Sequence, residues 1–230
     1  MSDNKIKHGA LLFEAGGKYS GRTNRNPILA DFIKRLGLKT PKTAYIGAAS
    51  NEDPDYYSFL KKILQASGTG EVFPVKFNRS GIKALQSAKL VFISGGDVEK
   101  GMSVLNKTYA PEILNELFAG GTAFAGVSAG SIMMCTNWIN WENPDDDSTA
   151  GLFPCLGLGN FICDTHDEED GWRELKTALS HCPDATLGYG IASGCALRVD
   201  TDDSIHAYGK NITVFQSHSG SCFGLDDLRT

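Results

Sequence analysis

Residues 122–134 read TAFAGVSAGSIMM: an apolar strand, Thr122–Val127, runs directly into Ser128, and residues of helical character follow. Inside it, Gly126-Val127-Ser128-Ala129-Gly130 matches G-x-S-x-G. The pentapeptide alone is common. A strand before it and a helix after it give the context of a nucleophile elbow, a sharp turn that projects a serine Oγ from the carboxyl edge of a sheet. Side chains in place of the flanking glycines would clash across so tight a turn, and the helix N-terminus beneath Ser128 favours developing negative charge. The plainer alternative is a structural turn carrying an ordinary serine.

Upstream, Leu90–Ser94 (LVFIS) is a continuous apolar run, as expected of a strand buried on both faces. It ends in Gly95-Gly96-Asp97, a turn whose freed amides can face a crevice. The Gly96 amide, paired with that of Ala129, would form an oxyanion hole. Further out, strands are expected at Gly9–Phe13, Thr43–Gly47 and Val72–Phe77. Helices are expected from Asn26-Pro27 to Gly37, from Asp53-Pro54 through Leu64, from a Ser80 cap to Ala88, and from Pro111 to Phe118. A helix is also read over Ala129–Ile139, a polar loop over 140–154 and a helix over Asp170–His181. Short strands at Leu187–Ile191, Ala196–Val199, Ser204–Tyr208 and Ile212–Phe215 complete the pattern. This alternation predicts one α/β domain over 1–230, an open and mostly parallel sheet with helices on both faces and short antiparallel strands at its C-terminal edge.

A chain of 230 residues can bury about 70% of its unfolded surface. At 41% hydrophobic and 21% charged residues it is globular, not disordered. No apolar run is long enough to span a membrane, and the N-terminus lacks a signal-peptide stretch. Residues 1–90 carry 15 basic and 7 acidic side chains, whereas 91–230 carry 7 basic and 20 acidic. The basic part has no Lys/Arg run, so it reads as a solvated face, and neither nucleic acid nor membrane is expected as a partner. Cys135, Cys155, Cys163, Cys182, Cys195 and Cys222 form no C-x-x-C pair, which suits free thiols in a cytoplasmic protein. No cofactor is expected. Gly16-Gly17 lacks dinucleotide-binding spacing, Cys163-x-x-His166 offers zinc only two ligands, and Asp145-Asp146-Asp147 lacks the spaced ligands of a calcium loop. Trp138 and Trp141 are read as core cover.

Five histidines compete as the base: His8, His166, His181, His206 and His218. His166, in Cys163-Asp164-Thr165-His166-Asp167, follows an apolar stretch in the kind of strand-end loop where a base belongs. Taken in order, Gly95-Gly96-Asp97, the Ser128 elbow and Leu156-Gly157-Leu158…Asp164-Thr165-His166 resemble the peptidase E (α-aspartyl dipeptidase) and cyanophycinase family of serine peptidases. LLFEAGG and TAYIGAAS fit the family's order as well. The resemblance implies a class I glutamine-amidotransferase-like fold, Ser128 as nucleophile and His166 as base.

One position departs from the family. Where its acidic third member, usually Glu, would stand, this chain has Ser193, within Gly190–Leu197. Three arrangements stay open: Ser193 as a weaker orienter of His166, substitution by Asp164, Asp167 or Glu168, or an impaired site. Asp97 and Arg173 are the candidate substrate-binding side chains, with Arg22 and Arg25 as further cations. Between Glu142 and Glu174 there are ten acidic residues and one basic, Arg173, a field that repels an aspartyl side chain. The expected function is therefore a serine peptidase for small peptides, not restricted to Asp-X, with a homodimer left open. The competing reading is an impaired homologue that binds a peptide or small molecule. Thiol chemistry through Cys163 or Cys135 is set aside, because neither lies on an elbow.

Overall fold

The structure, a computed structural model, describes residues 8–17, 24–143 and 145–230. The first half alternates strand and helix: β1 (Leu11–Glu14), α1 (Pro27–Arg35), β2 (Thr43–Ile46), α2 (Pro54–Ala66), β3 (Val72–Pro74), α3 (Arg79–Leu85) and β4 (Leu90–Ile93). Two consecutive helices, α4 (Val98–Asn106) and α5 (Ala110–Ala119), lead to β5 (Ala123–Val127) and the short α6 (Ala129–Met133). Then come β6 (Asn137–Trp141), β7 (Ala150–Pro154), β8 (Ile162–Thr165) and α7 (Arg173–Ser180). The chain ends in β9 (Leu187–Ile191), β10 (Ala196–Val199), β11 (Ile205–Tyr208), β12 (Thr213–His218) and β13 (Ser221–Gly224).

Seven strands form the main sheet in the order β11-β10-β1-β5-β4-β2-β3. The five strands from β1 to β3 in that order are mutually parallel, and β10 and β11 extend the edge antiparallel. From β2 the chain moves outward to β3, whereas from β4 it moves the other way to β5. The carboxyl ends of β2 and β4 thus diverge into a crevice, the place where open α/β sheets hold their ligands. Period-2 alternation divides the core. Leu12, Leu90 and Phe92 face α1 and α2 with Leu29, Phe32, Leu60 and Leu64. Leu11, Phe13, Ile93 and Phe124 face the other side with Met102, Leu114, Ile132 and Leu175.

Capping chemistry sets the helix starts. The Asn26 side chain accepts from the Ile28 and Leu29 amides, with Pro27 in the first turn, and Asp53 accepts from Tyr56. The start of α3 corrects the sequence reading: Asn78, not Ser80, is its cap, its Oδ1 accepting the Gly81 amide at 2.9 Å. The helix expected over Ala129–Ile139 stops at Met133. Its last carbonyls are taken by a distant segment: Met133 accepts from Leu156, Cys135 from Gly157, and Met134 from Leu158 and Gly159. Residues 137–141 and 150–154, spanning most of the expected polar loop, pair instead as an antiparallel hairpin. The helix α4 was not expected from the sequence.

Of the late strands, β10 and β11 sit at the main-sheet edge as expected, but β9 and β12 do not join them. They belong to a second sheet, β13-β12-β9-β8, in which β8 and β9 run parallel. Glycines on β9 let α7 dock close: a Cβ on Gly190 would lie 2.6 Å from the Trp172 ring, and one on Gly188 2.6 Å from Leu179. Among the described residues no helix is long and apolar enough to cross a membrane.

Candidate active site

Ser128 links β5 to α6 at φ 53°, ψ −124°. That backbone region costs a non-glycine residue about 1–3 kcal/mol and persists only where neighbours enforce it. Here the Ser128 amide donates to the Glu14 carbonyl at 2.8 Å, and the Ser128 carbonyl accepts from the Ser131 amide at 2.8 Å. The flanking glycines are demanded by contact. A Cβ on Gly126 would lie 2.5 Å from the Gly130 carbonyl oxygen, and one on Gly130 2.2 Å from that of Ile93.

His166 arrives from the second sheet. It is the residue after β8, at φ 51°, and its amide donates to the Ile191 carbonyl of β9 at 3.0 Å. Its Nε2 lies 2.8 Å from Ser128 Oγ, a hydrogen-bond distance. Gly96, at φ 143°, sits against the turn after β2, and a Cβ there would come within 2.1 Å of the Ala49 carbonyl oxygen. Among the described residues neither the Gly96 nor the Ala129 amide donates a hydrogen bond, and both residues line one pocket with Ser128 and His166.

That pocket, about 240 Å³, also contains Trp138, Asp164, Asp167 and Glu174. Asp164 is 4% exposed. Its Oδ1 accepts the Thr165 amide at 2.7 Å, and its Oδ2 is buried without a partner, as is Asp167 Oδ2. Burial pushes Asp164 up to about 8 against the pull of the Thr165 amide, with the charges of Asp167 and Glu174 adding to the rise. Burial first, and neighbouring acids next, also raise Asp167 and Glu174.

The remaining sequence candidates are spread differently. Asp97 caps α4, its Oδ1 accepting the Lys100 amide at 2.9 Å, and does not line the pocket. Arg173, at the head of α7, reaches Asp147 at 2.8 Å rather than the pocket. Arg25 is exposed, and Arg22 lies outside the described residues. Ser193 is exposed, and its amide donates to Glu168 Oε1 at 3.0 Å. Burial raises Glu168, but its own amide, the Ser193 amide and hydroxyl, and the nearby His166 outweigh that and hold it below the usual carboxylate range. Among the described residues no hydrogen bond reaches His166 Nδ1.

Tyr56, on α2, is not among the site candidates of the sequence. A Cβ on Gly95 would lie 3.2 Å from the Tyr56 hydroxyl and equally close to Ser128 Cβ, so this phenol borders the elbow. Trp138 is buried, as expected, yet also lines the pocket. The thiols Cys135 and Cys163 are buried 3.4 Å apart, and burial, then the neighbouring thiol, drives Cys135 well above the usual range, which keeps it an inert thiol. Among the described residues no group of three or more His, Cys, Asp or Glu side chains could hold a metal ion. A larger cavity of about 700 Å³ opens at the opposite end of the strands, beside Ala10 and Ala123, with no Ser, Cys or His in its lining.

Comparison with known proteins adds an independent line. The model of Peptidase family S51 matches residues 11–207. A cyanophycinase of Nostoc sp. is 26% identical over 212 residues, 86% of this chain and 71% of that protein. A peptidase E of Streptomyces coelicolor is 24% identical over 184 residues, 76% of this chain and 74% of that one. The crystal structure of a peptidase from an acI-B1 Actinobacterium superposes with a TM-score of 0.69 at 19% identity, covering 98% of each chain, which shows a shared fold. With the family model spanning most of its length, the chain belongs to peptidase family S51 and is a serine-type peptidase, a hydrolase.

Proposed function

We propose that the protein hydrolyses small peptides, in the manner of a dipeptidase, through Ser128 and His166. The observation that carries this reading is the 2.8 Å approach of Ser128 Oγ to His166 Nε2 across two sheets, at an elbow whose backbone is strained at Ser128. Ser128 Oγ attacks the scissile carbonyl while His166 Nε2 takes its proton. The Gly96 and Ala129 amides hold the resulting oxyanion, and the α6 N-terminus adds to their field. His166 then returns the proton to the leaving amine. A water, deprotonated by the same imidazole, releases the acyl group from Ser128.

The third member is shared. The Glu168 carboxylate supplies the negative charge that Ser193 cannot, and the Ser193 amide, 3.0 Å away, holds it in place. Ser128→Ala is expected to abolish turnover of a dipeptide library and labelling by a fluorophosphonate probe. Retained turnover in that variant would remove Ser128 from the reaction.

One observation favours a second reading, an impaired homologue that binds a peptide without cutting it: the lack of a hydrogen bond to His166 Nδ1 among the described residues. Wild-type protein that binds dipeptides yet resists the fluorophosphonate probe is the result that reading requires.

A further inference from the structure

The pocket beside Ser128 has an unbalanced charge. Asp164 and Asp167, on β8 and the loop after it, and Glu174, on α7, line it together, and no Lys or Arg does. Charged groups buried without counter-charge are costly, and no Lys or Arg of the lining answers these, which backbone amides of Thr165, Arg173 and Leu175 and the more distant Arg173 charge offset only in part. Asp164 is 4% exposed with Oδ2 unpartnered, and Asp167 Oδ2 is buried in the same condition. Burial first, and neighbouring acids next, raise the affinity of all three for protons. Arg173, the nearest basic residue in sequence, is engaged by Asp147 at 2.8 Å. Beside Ser128, Thr165 and His166, the lining carries an apolar wall of Val98, Ile132 and Trp138. An aliphatic stem can lie along such a wall, with its charged end near an indole face. At about 240 Å³ the space suits one side chain or one end of a dipeptide.

We infer that this pocket is a subsite for a cationic group, ammonium or guanidinium, carried by the residue that supplies the scissile carbonyl to Ser128. Asp164 Oδ2 is the buried acceptor, its carboxyl giving up its proton to solvent as the cation enters, and Asp167 and Glu174 supply the neighbouring acids. The inference rests on the hydrolytic reading of Ser128 and His166 and deepens it: the substrate class becomes peptides with a basic or free N-terminal residue, and an aspartyl side chain is repelled.

Two sources can supply the cation, a Lys or Arg side chain or a free α-ammonium. The test is calorimetric binding to Ser128→Ala, which needs no turnover, with Lys-Ala, Ala-Ala, acetyl-Lys-amide and Asp-Ala as probes. Lys-Ala is expected to bind about tenfold or more tighter than Asp-Ala, the size of a charge-assisted hydrogen bond. Retained binding of acetyl-Lys-amide assigns the subsite to the side chain. Its loss, with Lys-Ala and Ala-Ala equal, assigns it to the α-ammonium. Asp164→Asn in the Ser128→Ala background should bring the Lys-Ala to Asp-Ala ratio close to one. Because Asn at a buried position can disturb folding, Glu174→Gln serves as a second variant and should lower the same ratio. Asp-Ala binding as tightly as Lys-Ala, or a ratio unmoved in both variants, overturns the inference. Cation-selective binding beside an inactive wild type would sink the hydrolytic reading while leaving the subsite standing.

Discussion

Ser128 holds a backbone conformation that a side chain makes costly, and the cost is testable separately from catalysis. Glycine visits positive φ freely, so Ser128→Gly should abolish activity yet raise stability by about 1 kcal/mol in denaturant unfolding. A less stable variant would mean that the Ser128–His166 contact outweighs the strain. At Glu168 the expected signature is kinetic. Glu168→Gln should lower kcat about tenfold or more with KM little changed, and Glu168→Asp should recover part of the loss. Equal activity in all three forms would exclude Glu168 as the residue that positions His166. The elbow at Ser128 was legible from sequence because G-x-S-x-G between a strand and a helix marks a sharp turn by local pattern alone. His166 needed the family resemblance as well, since a strand-end loop alone does not single out one histidine among five. For Arg173 the sequence shows only a lone cation among acids, the pattern of a substrate clamp, and three dimensions add the Asp147 carboxylate beside it. The contact between the Ser193 amide and Glu168 is invisible in one dimension, because the groups are 25 residues apart on neighbouring strand ends.

At the scale of elements, the elbow exists because two backbones nearly touch. Gly130→Ala would drive a Cβ to 2.2 Å from the Ile93 carbonyl oxygen, whereas Gly224→Ala meets nothing within 4 Å. The first should cost about 3 kcal/mol and the activity, and the second should be neutral in the same thermal melt. Comparable losses in both would show that close approach is not why Gly130 is required. Strands buried on both faces and the helices capped by Asn26 and Asp53 were readable, because period and cap are local properties, whereas the Asn78 cap was misplaced by two residues and α4, capped by Asp97, was missed. The hairpin β6–β7 was not. Its composition, NWINW against AGLFP, reads as helix continuation or loop, and it forms because residues 156–159 take the carbonyls that would have extended α6. Competition between distant donors leaves no periodicity to find.

For the whole molecule, buried carboxyls set the response to pH. Glu14, beneath the elbow, is raised from 4.5 to about 7 by burial, only partly opposed by the Asn26 side chain. Below pH 4.5 folded and unfolded chains both hold this proton. Between there and about 7 the unfolded chain releases it while the folded chain keeps it, so stability falls as pH rises, by about 3 kcal/mol for this group. Asp164 acts with the same sign, whereas the lowered Asp31, Asp146 and Glu168 act with the opposite sign and at more acidic pH, where their contribution is lost as pH falls. Glu14→Gln should therefore flatten the decline in urea-unfolding stability between pH 5 and 8, and parallel wild-type and variant curves would count against this assignment. Ser128, the proposed nucleophile, rides on the main sheet and His166, the proposed base, on the smaller one, with α6 lying against β8 between them. Their 2.8 Å separation thus gauges how firmly the two slabs are clamped. Slippage of a few tenths of an ångström would silence turnover while most backbone hydrogen bonds survive. On warming, hydrolysis should fade at a lower midpoint than helical circular dichroism, so that the protein goes quiet before it melts.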